Sequence, residues 1–221
     1  MNTGNRIVLE VPVGPRECPV VVAVERARQP SADAIAALPR PEREQYAAMA
    51  PRRAAEFARG RTLLRWLAGT VLGIGADQVL ADAAGRPRLS GRRAGLSLSH
   101  TDLTTAAAIW PGGDVGIDAE EPPASLSAGL VRRCCGERAA ALDALPRQQR
   151  AAMFTRIWTV QEACVKARGL GLAGAPWRIP ADPFARTGQW QELRWYALDV
   201  LAPTAVAVAV RLTGPPWTNH N

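Results

Sequence analysis

A weak internal repeat sets the strongest restriction on the fold of this chain. The segment Phe57-x-Arg59-x-x-Thr62 begins one predicted long helix, and Phe154-x-Arg156-x-x-Thr159 begins a second, 97 positions later. Each helix is followed by a glycine-containing stop and then by a strand rich in Thr, Ala and Val, at 104–109 and 204–210. Three identities in six positions carry little weight alone, but the matching order of elements favours duplication. We therefore predict an α+β fold of two similar halves related by pseudo-two-fold symmetry, with the active site in the cleft between them.

The boundary between the halves is predicted at the tight turn Pro111-Gly112-Gly113-Asp114. The first half then covers residues 1–111 and the second covers residues 112–221. Hydrophobic periodicity predicts long helices at 52–72 and 148–168, with shorter helices at 33–38, 41–50, 126–134 and 137–145. Residue alternation and turn signals predict strands at 20–24, 96–99, 105–110, 115–120, 193–200 and 204–212.

Two acidic segments about forty residues apart carry the chemical signal. In the predicted strand Val115–Glu120, residues two apart point to the same face, so Asp118 and Glu120 project together. In the second predicted long helix, Glu162 and Lys166 are four residues apart and share a face, on which Trp158 also lies. Three carboxylates and one lysine suit a hard cation together with a polyanionic phosphate substrate.

Less specific explanations exist for each part of this signal. An isolated Asp-x-Glu at the end of a strand is more often solvated than functional, and a Glu–Lys pair four residues apart is often a surface ion pair. Trp158 is explained by core packing at least as well as by catalysis. The combination of the two segments favours a functional site, because clusters of ionisable groups concentrate in functional clefts.

Composition restricts the class of protein. The chain has 221 residues, 48% of them hydrophobic, which is enough for a packed core. No apolar run is long enough to span a membrane, and the N-terminus lacks the charged-then-apolar order of a signal peptide, so we expect a soluble cytoplasmic protein without a membrane partner. The cysteines lack metal-site spacing and are expected as reduced thiols: Cys18, Cys134, Cys135 and Cys164.

The charge balance predicts anionic partners. The formal net charge is +7, and all but one of the 27 basic residues are arginine. Such a chain attracts nucleic acid, phosphate-bearing cofactors or acidic proteins. Nucleic acid is disfavoured, because no recognised binding motif and no interleaved surface aromatics accompany the charge.

Several ordered blocks resemble a known family, the 4′-phosphopantetheinyl transferases, and in particular their long monomeric Sfp-like type. The blocks are Val115-Gly116-Ile117-Asp118-x-Glu120 and Trp158-Thr159-x-x-Glu162-Ala163-x-x-Lys166, supported by Gly60–Arg65, Gly85-Arg86-Pro87 and Ser97-Leu98-Ser99-His100. They cover roughly residues 40–175. Each block alone is weak, but their shared order and spacing are specific.

The resemblance implies an activity. Members of this family transfer phosphopantetheine from coenzyme A to a serine of an acyl or peptidyl carrier protein and release adenosine 3′,5′-bisphosphate. It implies that Asp118, Glu120 and Glu162 hold Mg²⁺, with Mn²⁺ as an alternative, against the pyrophosphate. Glu162 is the implied general base, and Lys166 would neutralise a pyrophosphate oxygen.

The resemblance also assigns coenzyme A binding mainly to the first half. Arg86 and His100 match positions near the 3′-phosphate, and Arg52 matches a basic position used for the nucleotide. Arg61 either contacts phosphate or braces its helix. The full predicted coenzyme A set is Arg52, Arg61, Arg86, Ser99, His100 and Lys166.

One position departs from the family pattern. The residue before Glu162 is usually lysine, and here it is Gln161. A cation near the pyrophosphate is thereby lost, although glutamine can still donate hydrogen bonds, and Gln161→Lys is expected to leave activity intact or raise it. A catalytically silent relative that binds coenzyme A or a carrier protein is therefore the alternative function. The acidic carrier is expected to dock on residues 126–145, which include Arg132, Arg133 and Arg138.

Overall fold

Two four-stranded antiparallel sheets form the centre of the protein in a computed structural model that describes residues 6–212 except 15–16, 83–84 and 92–93. The strands are β1 (Arg6–Val11), β2 (Val20–Arg26), β3 (Val79–Ala81), β4 (Pro87–Leu89), β5 (Gly95–His100), β6 (Thr104–Trp110), β7 (Val115–Glu120), β8 (Thr187–Trp190), β9 (Leu193–Leu201) and β10 (Thr204–Arg211). The first sheet has the order β1-β2-β6-β5, and the second has the order β7-β10-β9-β8. Strands β3 and β4 form a separate hairpin.

The helices are α1 (Ala32–Ala36), α2 (Arg40–Ala48), α3 (Pro51–Leu72), α4 (Ala128–Cys135), α5 (Ala139–Asp143) and α6 (Arg147–Ala167). Short 3₁₀ segments lie at Ala76–Gln78, Gly136–Arg138, Gly171–Gly174 and Pro176–Arg178. Helix α3 begins with a proline, whose missing N–H has no helical partner to lose. It ends at Gly73, whose φ of 63° suits a residue without a Cβ.

The core has four layers. Helix α3 packs on the outer face of the first sheet through residues such as Leu64, against Ile109 of β6. Helix α6 packs on the outer face of the second sheet, where Ile157 and Trp195 are buried in one cluster. The inner faces of the two sheets pack on each other through valine- and alanine-rich surfaces. The central strands β6 and β10 are therefore buried on both faces, whereas the edge strands β1 and β8 are partly exposed.

The two sheets meet along β5 and β7, and this junction positions the candidate site. Ser97 on β5 accepts a hydrogen bond from the backbone N–H of Ile117 on β7 at 2.9 Å. The Ser97 hydroxyl thus replaces a backbone carbonyl as the acceptor for this N–H of β7. Helices α3 and α6 flank this junction, which leaves a cleft between them.

The α+β class is confirmed, and each sheet carries one long helix on its outer face. The pseudo-two-fold relation and the boundary after residue 111 stay predictions. All four cysteines are free thiols, as expected. No described helix combines enough length with enough apolar character to traverse a lipid bilayer.

Candidate active site

The acidic pair lies on β7 with the orientation that alternation predicts. Ile117 and Ala119 are buried between the sheets. Asp118 and Glu120 point the other way, into a cleft of about 370 Å³. The prediction that these two carboxylates share a face is confirmed.

Helix α6 brings the second acidic segment to the same cleft. Trp158, Glu162 and Lys166, spaced four residues apart, all line it. The cleft is completed by Leu98, Ser99 and His100 from β5. All three predicted metal ligands and the predicted catalytic lysine therefore line the same cleft.

Gly116 explains why β7 and α6 lie close enough for this. A Cβ at this position would overlap the backbone oxygen of Ala163 and the backbone nitrogen of Ala167, and would lie 2.8 Å from the Cβ of Lys166. Only a residue without a side chain permits such an approach of strand and helix. Gly116 thus sets the distance between the acidic pair and Glu162.

A network of hydrogen bonds holds Asp118, which is 4% exposed. The ammonium of Lys166 donates to Asp118 Oδ1 at 2.6 Å and to Ser99 Oγ at 3.1 Å. The hydroxyl of Ser99 donates to the same carboxylate oxygen at 2.9 Å. The other carboxylate oxygen of Asp118 is buried without a hydrogen-bond partner among the described residues, and so is Oε1 of Glu162.

The charges in the cleft are unbalanced. Burial and the neighbouring Asp118 raise the pKa of Glu120 to about 7. Burial and Asp118 also raise the pKa of Glu162. Three carboxylates therefore face the single ammonium of Lys166, an arrangement that favours an additional cation.

The carboxylates of Asp118, Glu120 and Glu162 line one cleft but do not meet at a single point. Within the described residues, no three His, Cys, Asp or Glu side chains are close enough together to hold a metal ion. The donor set nevertheless fits a hard cation, because carboxylate oxygens are its preferred ligands and two buried oxygens, on Asp118 and Glu162, lack partners. Binding of a metal ion would require these side chains to move closer together and would weaken the hydrogen bond from Lys166 to Asp118.

A larger cleft of about 810 Å³ adjoins the acidic one. The two share a wall made by Leu98, His100 and Lys166. The larger cleft is also lined by basic and aromatic side chains of α3 and by the β3–β4 hairpin. A polyanion in the large cleft could therefore reach the acidic cleft past His100 and Lys166.

Four of the six predicted coenzyme A contacts line the large cleft: Arg61, Arg86, His100 and Lys166. Arg61 is 6% exposed, its Nη2 donates to the Gly85 carbonyl at 3.2 Å, and burial lowers its pKa. Its Nη1 is buried without a partner in the described part of the chain. Arg86 donates to the carbonyl of Gly169, which joins the β3–β4 hairpin to the segment after α6. Burial lowers the pKa of His100, against the opposing effect of the nearby Glu56.

Arg52 lies outside the lining of this cleft, and its nucleotide contact stays a prediction. It is exposed and pairs with Asp102 and, at 3.3 Å, with Glu56. Arg53, one residue later, lines the cleft instead. A signal for this exists in the sequence, because Arg53, Phe57 and Arg61 are spaced four residues apart on one helical face. Ser99 also lies apart from the large cleft, with its hydroxyl committed to Asp118.

Gln161 faces away from both clefts, so the interpretation that places it near a pyrophosphate is wrong. It is 1% exposed, and its Nε2 donates to the carbonyls of Cys134 at 2.8 Å and Ile179 at 2.9 Å. These two hydrogen bonds connect α6 to α4 and to the loop before Ala181. It contributes to packing, whereas Glu162 faces the acidic cleft.

Comparison with known proteins gives a consistent result. A family profile described as the 4′-phosphopantetheinyl transferase superfamily matches residues 114–202, and one described as the 4′-phosphopantetheinyl transferase N-terminal domain matches residues 42–110. The chain is 30% identical over 176 residues to the 4′-phosphopantetheinyl transferase HetI of Nostoc sp., covering 76% of this chain and 74% of HetI. It is 36% identical over 164 residues to the 4′-phosphopantetheinyl transferase AcpT of Salmonella typhimurium, covering 68% of this chain and 82% of AcpT.

Proposed function

The chain belongs to the 4′-phosphopantetheinyl transferase superfamily, and we propose that it transfers 4′-phosphopantetheine from coenzyme A to a serine of an apo carrier protein. The reaction would depend on Mg²⁺ or Mn²⁺ and release adenosine 3′,5′-bisphosphate. The observation that carries the proposal is the wall that the acidic cleft and the larger cleft share. It places a nucleotide-sized basic cavity directly beside a cluster of carboxylates.

The nucleotide part of coenzyme A fits the larger cleft. Its volume of about 810 Å³ falls in the range of small-molecule sites. Arg53, Arg61, Arg86 and His100 line it and would bind the phosphates, since guanidinium groups pair with phosphate through two parallel hydrogen bonds. Arg61 has a buried N–H available for this purpose.

The pyrophosphate would lie at the shared wall. Asp118, Glu120 and Glu162 would hold the metal ion, which supplies charge that stabilises the leaving bisphosphate when bound. The ammonium of Lys166 lines both clefts and would neutralise a pyrophosphate oxygen after leaving Asp118. This exchange is favourable because Asp118 gains another cation as it loses the lysine.

The proton transfer would be carried out by Glu162. The carrier serine oxygen forms a bond to the β-phosphorus, the bond from that phosphorus to the bridging oxygen breaks, and Glu162 takes the serine proton directly or through water. Its Oε1 has no hydrogen-bond partner among the described residues. Its raised pKa brings it closer to working pH, as an efficient general base requires.

The carrier protein would dock beside α4. This helix exposes Leu130 together with Arg132 and Arg133, and the net charge of +7 favours an acidic partner. Arg133 stacks on Trp177 at 3.9 Å, which holds its charge near the surface. Such a partner would be an acyl or peptidyl carrier protein, and the enzyme would act on it as a monomer.

The test is incubation of several apo carriers with the protein, coenzyme A and Mg²⁺, followed by intact mass measurement and detection of adenosine 3′,5′-bisphosphate. We expect one carrier or more to gain the mass of phosphopantetheine, and chelation of the metal to prevent the gain. Binding of coenzyme A without modification of any carrier would instead support a silent relative. The buried position of Gln161 removes the sequence argument for that alternative.

A further inference from the structure

One acidic residue of the β7 segment has no part in the mechanism above. Glu121 directly follows Glu120, and alternation along the strand turns its side chain away from the acidic cleft. We infer that Glu121 is a positioning residue, whose carboxylate holds the end of β7, and with it Asp118 and Glu120, against both halves of the molecule. The inference rests on the proposed function, because it concerns the same metal-binding carboxylates.

A single oxygen of Glu121 joins three parts of the chain. Its Oε1 accepts a hydrogen bond from the hydroxyl of Thr101, in the turn between β5 and β6. The same oxygen accepts one from the hydroxyl of Thr204, at the start of β10, at 3.0 Å. Hydrogen bonds to a charged acceptor are about twice as strong as neutral ones. The carboxylate therefore connects β7 to a hairpin of each sheet.

Both hydroxyl donors are themselves anchored. The hydroxyl of Thr101 accepts hydrogen bonds from the backbone N–H groups of Leu103 at 3.2 Å and Thr104 at 3.0 Å. The hydroxyl of Thr204 lies 2.8 Å from that of Thr104, and both threonines are buried. The contact crosses from the first sheet to the second. We call this set of Thr101, Thr104, Thr204 and Glu121 the threonine clasp.

The clasp acts where backbone pairing of β7 ends. The last pair in the register with β10 joins Glu120 to Ala205. The next residues after Glu121 are Pro122 and Pro123, which have no N–H to donate to a further pair. Glu121 is thus the last residue before the prolines, and its side-chain hydrogen bonds to Thr101 and Thr204 hold the end of β7 in place.

Glu120 depends on this support more than Asp118 does. Asp118 is held by Ser99 and Lys166 through its own carboxylate. The carboxylate of Glu120 accepts no hydrogen bond from the described residues, so its position follows from its backbone. Loosening the strand end would move Glu120 out of line with Glu162.

The test measures binding of Mn²⁺ alone to the purified protein by electron paramagnetic resonance. Glu121→Ala is expected to weaken binding about tenfold, the lower end of what loss of a supporting contact does to metal affinity. Glu121→Gln should bind nearly as well as the unaltered protein, because its amide oxygen can accept from both hydroxyls. Asp114→Ala is the matched control, since it removes an exposed carboxylate, paired with Arg211 at 3.7 Å, from the other end of β7.

Kinetics and a double variant distinguish positioning from general support. Glu121→Ala should raise the metal concentration needed for half-maximal transfer more than it lowers kcat at saturating metal. Combining Thr204→Val with Glu121→Ala should weaken Mn²⁺ binding by less than the product of the two single effects, because both changes remove the Glu121–Thr204 contact, although Thr204→Val also removes the contact with Thr104.

Equal Mn²⁺ affinity in Glu121→Ala and the unaltered protein, with only a lower melting temperature, would overturn the positioning role and leave the proposed function intact. Failure of the unaltered protein to bind Mn²⁺ would refute the metal site itself, and the clasp inference with it.

Discussion

Substitution of Gly116 by alanine tests whether the approach of β7 to α6 creates the acidic cleft. The added Cβ would lie 2.8 Å from the Cβ of Lys166 and closer still to the backbone of Ala163 and Ala167. Carbon atoms in contact sit at about 3.5–4.0 Å. The strand and helix must therefore separate by about 1 Å, because helical backbone atoms cannot turn aside as a side chain could.

The magnitude follows from this displacement. Forcing an extra methyl group into a packed contact lowers the free energy of unfolding by about 1–3 kcal/mol. For a protein of this size, each kcal/mol shifts Tm by about 2–4 °C, so a fall of about 2–12 °C is expected. A misplacement of about 1 Å can lower the rate about 100-fold. The loss of activity should therefore exceed what the loss of folded protein explains.

Gly69→Ala is the matched control. Gly69 lies in α3, outside the lining of both clefts, and a Cβ there meets only the carbonyl oxygen of Ile74 at 3.5 Å, an ordinary van der Waals distance. Alanine is the better helix former by about 1 kcal/mol, so the control should be as stable as the unaltered protein or more stable. Thermal melts and carrier modification rates at a temperature where both variants are folded provide the comparison. A Gly116→Ala protein with unaltered Tm and rate would refute the claim that this glycine sets the geometry of the site.

Three further outcomes are expected. Arg53→Ala should raise KM for coenzyme A about tenfold, because it removes one hydrogen bond from a charged donor. Arg52→Ala should change KM little. If steady-state assays give the opposite order, they support the sequence-based prediction that Arg52 contacts the nucleotide. The folded-state pKa of Glu120 is raised from 4.5 to about 7, so its proton stabilises the metal-free fold at low pH and this contribution declines as pH rises from about 4.5 through 7. Because metal must displace that proton, the increase in Tm that Mg²⁺ produces should grow between about pH 6 and pH 8 in thermal melts, and a pH-independent increase would contradict the shift. Gln161→Lys should leave KM for coenzyme A unchanged, since this side chain faces the core; a lower KM would show that it reaches the phosphates.

Much of the site could be predicted because its residues follow simple periods. The alternation in Val115–Glu120 and the spacing of Glu162 and Lys166 each depend on one element, and both predictions agree with the structure. The ends of the long helices were also predictable within a residue or two, since prolines and Gly73 mark them. Local signals of this kind do not depend on the rest of the fold.

Other features depend on how elements meet, and the sequence alone did not reveal them. Strand β1 escaped prediction because most of its residues are partly exposed and its alternation is weak. The choice between Arg52 and Arg53 depends on the rotation of α3 against the first sheet. The role of Gln161 depends on two carbonyls from distant segments, which no spacing within α6 reveals.

The most direct test of the proposed function compares the unaltered protein with Glu162→Gln in the carrier mass assay. Glutamine preserves the shape of the side chain but can neither take the serine proton nor supply a charged ligand. With Mg²⁺ and coenzyme A, the unaltered protein should add phosphopantetheine to an apo carrier, and a folded Glu162→Gln protein should add almost none. Equal modification by both proteins, or none by the unaltered protein with any carrier, would contradict the account.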